Sequence, residues 1–162
     1  MFGFKRSRST HDDVALTSPA SGRVLPLDQV PDPVFSKELV GPGFAIEPAA
    51  GPICAPTAGT LTMIPDTLHA FGLRTPEGIE VLVHVGIDSV ELKGEGFTAL
   101  RAVGDAVEAG TPVLEIDLPL LTERLPSLAT PVIVTRTAGF QLDAPNLAAA
   151  RGEPVVVLRK GA

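Results

Sequence analysis

Apolar and polar residues alternate with a period of two along residues 79–86. A period of two places alternate side chains on opposite faces of a β-strand. One set of alternate positions is entirely aliphatic, and the other set carries a histidine: the first is Ile79, Val81, Val83 and Val85, and the second is Glu80, Leu82, His84 and Gly86. The pattern therefore predicts a strand with one face in the core and His84 on the opposite face.

A second strand that carries a histidine is predicted directly upstream, over residues 67–73. The same alternation predicts a shared face for three of its side chains: Thr67, His69 and Phe71. The tetrapeptide Thr75-Pro76-Glu77-Gly78 separates the two runs, with proline at the second turn position and glycine at the fourth. Because proline presets φ at the second position of a β-turn and glycine is common at the fourth, the two runs are predicted to form a hairpin.

The register of this hairpin decides whether the two histidines meet. A turn centred on the middle of the tetrapeptide pairs His69 with His84, which places their Cβ atoms about 4.5–5.5 Å apart. A three-residue loop with a bulge at Gly78 instead pairs His84 with Ala70. The sequence favours the paired-histidine register and leaves the second register open.

Further short strands are predicted within residues 103–116, 131–134 and 154–158, where aliphatic runs are bounded by glycine and proline. The 16 glycines and 16 prolines are spread along the chain, as expected where they separate many strands. Residues 18–24 and 55–61 share a small-Pro-x-x-Gly-x-aliphatic pattern, which indicates duplicated supersecondary units. The predicted fold is all-β, an antiparallel β-sandwich of duplicated units.

Only short helical turns are expected. Asp32 is a candidate N-cap with Pro33 at the first helical position, and Asp117 is a candidate N-cap for residues 118–125. Residues 146–151 are predicted to form one more turn that ends before a glycine.

Length, charge and cysteine content narrow the class of protein. A chain of 162 residues with 44% hydrophobic residues supports one domain, predicted over residues 15–162 behind a mobile tail of residues 1–14. No apolar run has the length of a membrane span or a signal peptide, and Cys54 is the one cysteine, so a cytoplasmic location is expected. The net charge of −6 argues against nucleic acid as a partner and suits a basic protein partner.

Two facing histidines favour phosphoryl-group chemistry. A neutral imidazole is a nucleophile near pH 7, and its phosphorylated form is a reactive donor. In such a site His69 can donate a hydrogen bond to the phosphoryl oxygens, the Thr67 hydroxyl can orient a ring, and Gly86 leaves the approach open. Because the sequence has no phosphate-binding glycine loop followed by lysine and serine or threonine, the phosphoryl donor is expected to be another protein.

The histidine-bearing segments resemble a known family. The run from His84 to Phe97, His-Val-Gly-Ile-Asp-Ser-Val-Glu-Leu-Lys-Gly-Glu-Gly-Phe, is similar to the phosphorylation-site signature of the glucose-type IIA components of the bacterial phosphoenolpyruvate-dependent sugar phosphotransferase system. Thr-Leu-His-Ala-Phe at residues 67–71 resembles the second-histidine motif of that family. Four more blocks match in order, so that the resemblance covers about residues 15–160: Pro31–Phe35, Val40–Ile46, Ala55–Leu61 and Glu115–Leu121.

The resemblance implies a phosphoryl relay. His84 would take a phosphoryl group from the phosphocarrier HPr and pass it to a cysteine on the IIB domain of a permease for glucose, N-acetylglucosamine or a related sugar. By the same resemblance His69 is its partner in the site, Thr67 and Gly86 complete the site, and Asp88 is an acidic residue near it. No cofactor is required, regulated transporters or enzymes are possible further partners, and transient contact with the inner face of the membrane is compatible with the tail.

A docking surface for HPr and the IIB domain is expected around His84, because Leu82 shares the outward face with His84 and the resemblance implies that a short apolar turn lies nearby. Asp32, Glu38 and Asp88 are the expected polar rim. The predicted apolar members are Val34, Phe35, Leu39, Val40, Leu82 and Val90.

Two other functions fit parts of the pattern. A zinc hydrolase could use His69 and His84 as ligands, but a catalytic zinc site needs three protein ligands and the third is missing, since His11 lies in the tail and Asp88 would have to reach back. Adventitious or regulatory zinc between the two histidines remains an expectation. A regulatory binding protein without phosphoryl transfer is the third alternative.

Overall fold

The computed structural model describes residues 13–160. Within this range short strands predominate and the two α-helices are brief. The strands are β1 (Val14–Thr17), β2 (Ser21–Pro26), β3 (Gly43–Ala50), β4 (Ile53–Cys54), β5 (Gly59–Met63), β6 (Ala70–Arg74), β7 (Glu80–His84), β8 (Phe97–Ala99), β9 (Ala106–Val107), β10 (Pro112–Ile116), β11 (Thr130–Arg136), β12 (Phe140–Leu142) and β13 (Pro154–Lys160). The helices are α1 (Pro33–Ser36) and α2 (Leu118–Arg124), and the 3-10 turns are Leu27–Gln29 and Ser89–Leu92.

The strands form three antiparallel sheets. The largest has the order β2-β3-β11-β7-β6-β5-β9, and the smaller ones have the orders β1-β13-β12 and β4-β10-β8. Sheet residues pack face to face around a common apolar cluster, which is the arrangement of a β-sandwich. The predicted all-β sandwich is confirmed, and β7, the strand of His84, lies in the interior of the large sheet between β11 and β6.

The core face of β7 is the one that the period of two predicts. Ile79, Val81, Val83 and Val85 are at most 2% exposed and belong to the main apolar cluster. Burial of an aliphatic side chain stabilises a fold by about 1.5–3 kcal/mol relative to an exposed one. This face therefore anchors β7 and holds the position from which His84 projects.

A second, smaller apolar cluster covers the opposite face of the large sheet. Residues of α1 and of the preceding 3-10 turn pack there on β2, β3 and β11. Asp32 caps α1 as predicted, because its Oδ1 accepts a hydrogen bond from the Val34 amide at 3.0 Å. The members of this outer cluster are Leu25, Leu27, Val30, Phe35, Ala45, Ile87, Ala129 and Ile133, with Leu82 partly buried against them.

The predicted register of the central hairpin is wrong, and the alternative register is the one observed. Ala70 pairs with His84, and the Thr75 amide donates to the Ile79 carbonyl at 2.9 Å, which closes a three-residue loop. Gly78 has φ +94°, the left-handed conformation that the bulge of such a loop requires.

The strand predicted from residue 67 begins only at Ala70. Leu68 has φ +59°, which interrupts the extended backbone and ends the alternation of side chains. Phe71 is fully buried in the core, whereas His69 is half-buried at the surface, so the predicted shared face of Thr67, His69 and Phe71 is wrong.

The internal repeat corresponds to a reciprocal contact. The Thr17 amide donates to the Pro56 carbonyl at 2.8 Å, and the Cys54 amide donates to the Pro19 carbonyl at 2.7 Å. Thr17 corresponds to Cys54 in the repeat, and Pro19 corresponds to Pro56. Each bond is therefore the equivalent of the other with the two segments exchanged. The two similar segments thus contact each other as equivalent units, in agreement with a duplicated fold.

The remaining local predictions also have a structural counterpart. The Asp117 carboxylate accepts a hydrogen bond from the Leu120 amide and caps α2, and the Asn146 side chain accepts one from the Ala148 amide in a turn.

Of the predicted tail, residues 1–12 lie outside the described residues, whereas Val14 already pairs with Leu158 in the β1–β13 ladder. None of the helices within residues 13–160 is long and apolar enough to cross a membrane.

Candidate functional site

His84 ends β7 on the outer face of the large sheet and is half-buried. The Phe35 ring lies against its imidazole, with ring centroids 5.1 Å apart and an interplanar angle of 53°. The directly paired residue on β6 is Ala70, whose small side chain leaves room beside the ring. Packing by α1 and by the sheet therefore limits the orientations that the His84 imidazole can adopt.

One hydrogen bond determines which nitrogen of His84 carries the proton. The Nδ1 atom lies 2.8 Å from the Gly86 carbonyl oxygen. Because a carbonyl oxygen can only accept, Nδ1 must carry the hydrogen, and the lone pair of the neutral ring then resides on Nε2. The Nε2 lone pair is therefore not used by this hydrogen bond.

Gly86 occupies a position that only glycine fits. Its φ of +76° is left-handed, and a Cβ added to it would lie 2.5 Å from Cδ1 of Leu125. A side chain here would strain the backbone and displace Leu125, moving the carbonyl that holds His84. The conformation of Gly86 therefore directs its backbone carbonyl at the His84 ring.

His69 lies beside His84 although the two residues are not paired in the β6–β7 ladder. The left-handed Leu68 turns the chain just before β6, and the His69 carbonyl accepts a hydrogen bond from the Val85 amide at 2.7 Å. The Thr67 hydroxyl lies 2.7 Å from His69 Nδ1. The two imidazoles meet edge to face, with ring centroids 5.0 Å apart and an interplanar angle of 80°.

Burial lowers the pKa of both histidines below their ordinary value of 6.5. For His84, the Gly86 hydrogen bond and the nearby carboxylates of Asp32 and Asp88 oppose this effect, in that order of importance, without reversing it. For His69, repulsion from a charged His84 lowers the pKa further. Both rings are therefore neutral at pH 7.

These pKa shifts predict that folding stability falls on acidification. Below pH 6.5 the unfolded chain binds protons that the folded site resists, so the free energy of unfolding decreases as the pH falls through that value. Urea unfolding at pH values from about 8 to about 5.5 measures the decrease. In the double variant His69→Gln/His84→Gln this part of the pH dependence should disappear, and an unchanged slope would contradict the prediction.

Asp88 lies close enough to His84 to raise its pKa, which agrees with the acidic position near the site. It is exposed and has φ +59°, at the start of the 3-10 turn Ser89–Leu92. Asp88 is therefore both a residue of the turn after the strand and a carboxylate near the imidazole.

The predicted apolar surface divides into two groups. Val34, Leu39, Val40 and Val90 are exposed, with exposed fractions between 39% and 69%. Phe35 is only 7% exposed and Leu82 is half-buried, because both pack in the outer cluster. The prediction that Phe35 belongs to an exposed surface is wrong, since Phe35 packs in the outer cluster against the His84 ring, and Leu82 is only partly exposed.

The residues that stand behind Gly86 were not identified from the sequence. Its amide donates to the hydroxyl of Thr130 at 3.4 Å, although the two residues are 44 positions apart. Leu125 fills the space beside Gly86. Neither residue lies in a motif with chemical content, so no local signal pointed to this contact.

The described residues 13–160 contain no group of three or more histidine, cysteine, aspartate or glutamate side chains that could hold a metal ion. The predicted zinc pair, His69 and His84, therefore has no third protein ligand in this range. A catalytic zinc centre, which uses three such ligands, is not supported by these side chains.

The fold has a close counterpart among solved structures. Glucose permease IIA from Mycoplasma capricolum superposes with a TM-score of 0.86 and 34% sequence identity, over 90% of this chain and 95% of that one. This similarity identifies the class: a IIA component of a sugar phosphotransferase system.

Sequence comparison identifies the family within that class. Residues 14–140 match the family described as phosphoenolpyruvate-dependent sugar phosphotransferase system, EIIA 1. A glucose-specific EIIA component of Halalkalibacterium halodurans is 40% identical, over 81% of this chain and 76% of that protein. A glucose-specific EIIA component of Staphylococcus aureus is 37% identical, over 83% and 81%. The chain belongs to the EIIA 1 family and is a phosphotransferase component.

Proposed function

We propose that His84 accepts a phosphoryl group on Nε2 from the phosphocarrier HPr and passes it to a cysteine on the IIB domain of a sugar permease. The observation that carries this proposal is the 2.8 Å hydrogen bond from His84 Nδ1 to the Gly86 carbonyl, which leaves the Nε2 lone pair free. The names of the relatives support glucose or a related sugar as the transported substrate.

In the accepting step, the Nε2 lone pair of His84 attacks the phosphorus of the phosphohistidine on HPr. The new N–P bond forms as the N–P bond of the donor breaks, and the electron pair of that bond returns to the donor imidazole. Positive charge develops on the His84 ring, where the Gly86 carbonyl oxygen and the carboxylates of Asp32 and Asp88 stabilise it.

His69 has a separate role, that of a hydrogen-bond donor to the phosphoryl oxygens. When the Thr67 hydroxyl donates to Nδ1 of His69, the ring proton resides on Nε2, from which it can be donated to the transferred group. The lowered pKa keeps His69 neutral near pH 7, so the ring supplies a donor without repelling a developing charge on His84. Thr67 acts here by setting the tautomer.

In the onward step, a cysteine thiolate of the IIB domain attacks the phosphorus. The S–P bond forms, the N–P bond to Nε2 breaks, and the electron pair returns to the His84 ring, which is again neutral with its proton on Nδ1. No metal, oxidant or nucleotide is needed for this balance.

Incubation with phosphoenolpyruvate, enzyme I and HPr tests the proposal directly. Intact-mass measurement should show addition of one phosphoryl group that is lost in acid, as expected for a phosphohistidine. Reconstitution with glucose and N-acetylglucosamine permeases then identifies the acceptor. A chain that gains no mass in the presence of active HPr would contradict the relay.

HPr and the IIB domain are proposed to bind alternately on one docking patch, formed by Val34, Leu39, Val40 and Val90 with the carboxylates of Asp32, Glu38 and Asp88 at its rim. The apolar members are exposed, although large aliphatic side chains are usually buried. The negative net charge of −6 favours a basic partner. A small patch with a charged rim suits the weak, fast contacts that a relay requires.

Val90→Glu should slow phosphoryl transfer from HPr and transfer to the IIB domain, because it places a charge within the proposed apolar contact. A matched control is Val103→Glu, since Val103 is also an exposed valine and lies in the loop before β9, at the far edge of the large sheet. Phosphoryl-transfer assays with each partner, stopped at fixed times, measure both rates. Added salt should slow the association of the wild type with its partners. An effect on HPr alone would refute a shared patch.

A further inference from the structure

The turn that holds His84 is anchored by the segment that follows α2. The Gly86 amide donates to the Thr130 hydroxyl at 3.4 Å, and that hydroxyl donates to the Leu128 carbonyl at 2.9 Å. Thr130 is fully buried. The Thr130 hydroxyl therefore both accepts and donates a hydrogen bond, and the amide from which it accepts is that of Gly86 in the site.

The next peptide of the same turn is anchored too. The Ile87 amide donates to the Ser127 carbonyl at 3.1 Å. In a trans peptide the N–H and C=O bonds point in opposite directions, so this bond directs the Gly86 carbonyl away from Ser127 and toward His84 Nδ1. Two successive amides, those of Gly86 and Ile87, thus bind residues 127–130 and aim one carbonyl.

We propose that Thr130 is a positioning residue for phosphoryl transfer: its hydroxyl holds the Gly86 turn so that the Gly86 carbonyl keeps the proton of His84 on Nδ1. This inference rests on the proposed function of His84 and adds a residue that touches neither the imidazole nor the transferred group. The side chain at position 130 acts through Gly86, and the backbone of Ser127 holds the other half of the turn.

Removal of the hydroxyl has two chemical consequences. The Gly86 amide loses its acceptor in a buried environment, and the turn relaxes to satisfy it elsewhere. A displaced Gly86 carbonyl then binds Nδ1–H of His84 less well, so a fraction of the rings adopts the tautomer with the proton on Nε2. In that tautomer Nε2 has no free lone pair with which to attack phosphorus. The rate of phosphoryl acceptance should fall roughly three- to tenfold, the equivalent of one lost hydrogen bond.

The test compares Thr130→Val with Thr130→Ser and with Thr75→Val. Thr75 is a matched control, because it is also buried and its hydroxyl also accepts a backbone amide, that of Ile79, in the loop at the far end of the hairpin. Long-range 1H–15N correlation spectra of the unphosphorylated chain report the tautomer of His84. Acceptance rates from phospho-HPr are measured on the same samples.

Thr130→Val should shift the His84 15N resonances toward each other and slow acceptance, whereas Thr130→Ser should restore both and Thr75→Val should change neither. A folded Thr130→Val with wild-type resonances and rate would overturn the proposal, as would an equal change in Thr75→Val. If Thr130→Val does not fold, amide exchange in the wild type decides, because the Gly86 amide must then be protected, and its fast exchange would overturn the proposal.

The outcome is separable from that of the proposed function. The tautomer and the exchange of the Gly86 amide are measured without HPr. A wild-type chain that accepts no phosphoryl group would refute the relay, and the resonances would still report whether Thr130 holds the Gly86 turn.

Discussion

His84→Ala is expected to abolish phosphorylation by phospho-HPr. The substitution removes the nitrogen that forms the N–P bond, and water cannot replace a nucleophile covalently held in the site. Intact mass after incubation with phosphoenolpyruvate, enzyme I and HPr should show the unmodified chain, compared with complete modification of the wild type. The expected reduction in rate exceeds the roughly 10²- to 10³-fold loss typical of removing one stabilising donor.

The fold should survive this change, because His84 lies on the outer face and is only half-buried. An unchanged unfolding midpoint in urea would confirm that the loss is chemical. His69→Gln is the appropriate comparison, since it removes the second imidazole and keeps the nucleophile. Full labelling of His84→Ala would show that another residue is the acceptor.

His69→Gln is expected to retain labelling by HPr and to slow onward transfer to the IIB domain by roughly 100-fold. Acceptance requires the nucleophile, which remains, whereas departure requires stabilised charge on the moving phosphoryl group. The His69 ring is held by the 2.7 Å contact between its Nδ1 and the Thr67 hydroxyl, and glutamine does not reproduce that fixed donor. Single-turnover transfer from phosphorylated protein to an isolated IIB domain measures the effect.

Thr67→Ala provides a graded comparison. It keeps the His69 ring and removes only the hydroxyl that orients it, so onward transfer should slow less than in His69→Gln and in the same direction. Equal onward rates in wild type and His69→Gln would remove His69 from the mechanism. A larger effect of Thr67→Ala than of His69→Gln would show that the threonine acts on the phosphoryl group itself.

Local sequence determined the elements whose causes are local. The period of two in residues 79–85 specified the core face of β7, because burial of alternate aliphatic side chains outweighs any other use of that strand. Asp32 and Asp117 specified the starts of α1 and α2, since an aspartate before a proline-containing first turn satisfies free amides wherever it occurs. The histidine motifs implied by resemblance that His84 and His69 share one site, and the two rings are adjacent in the fold.

Tertiary structure decided the features that depend on distant or competing contacts. The turn sequence allowed two hairpin registers, and the left-handed Gly78 belongs to the observed one. The imidazoles meet because Leu68 redirects the chain before β6. Phe35 was predicted to belong to the docking surface, but it is buried in the outer cluster and packs against the His84 ring. Thr130 reaches Gly86 across 44 residues, a contact created only when β11 pairs with β7, so no pattern along the chain could indicate it.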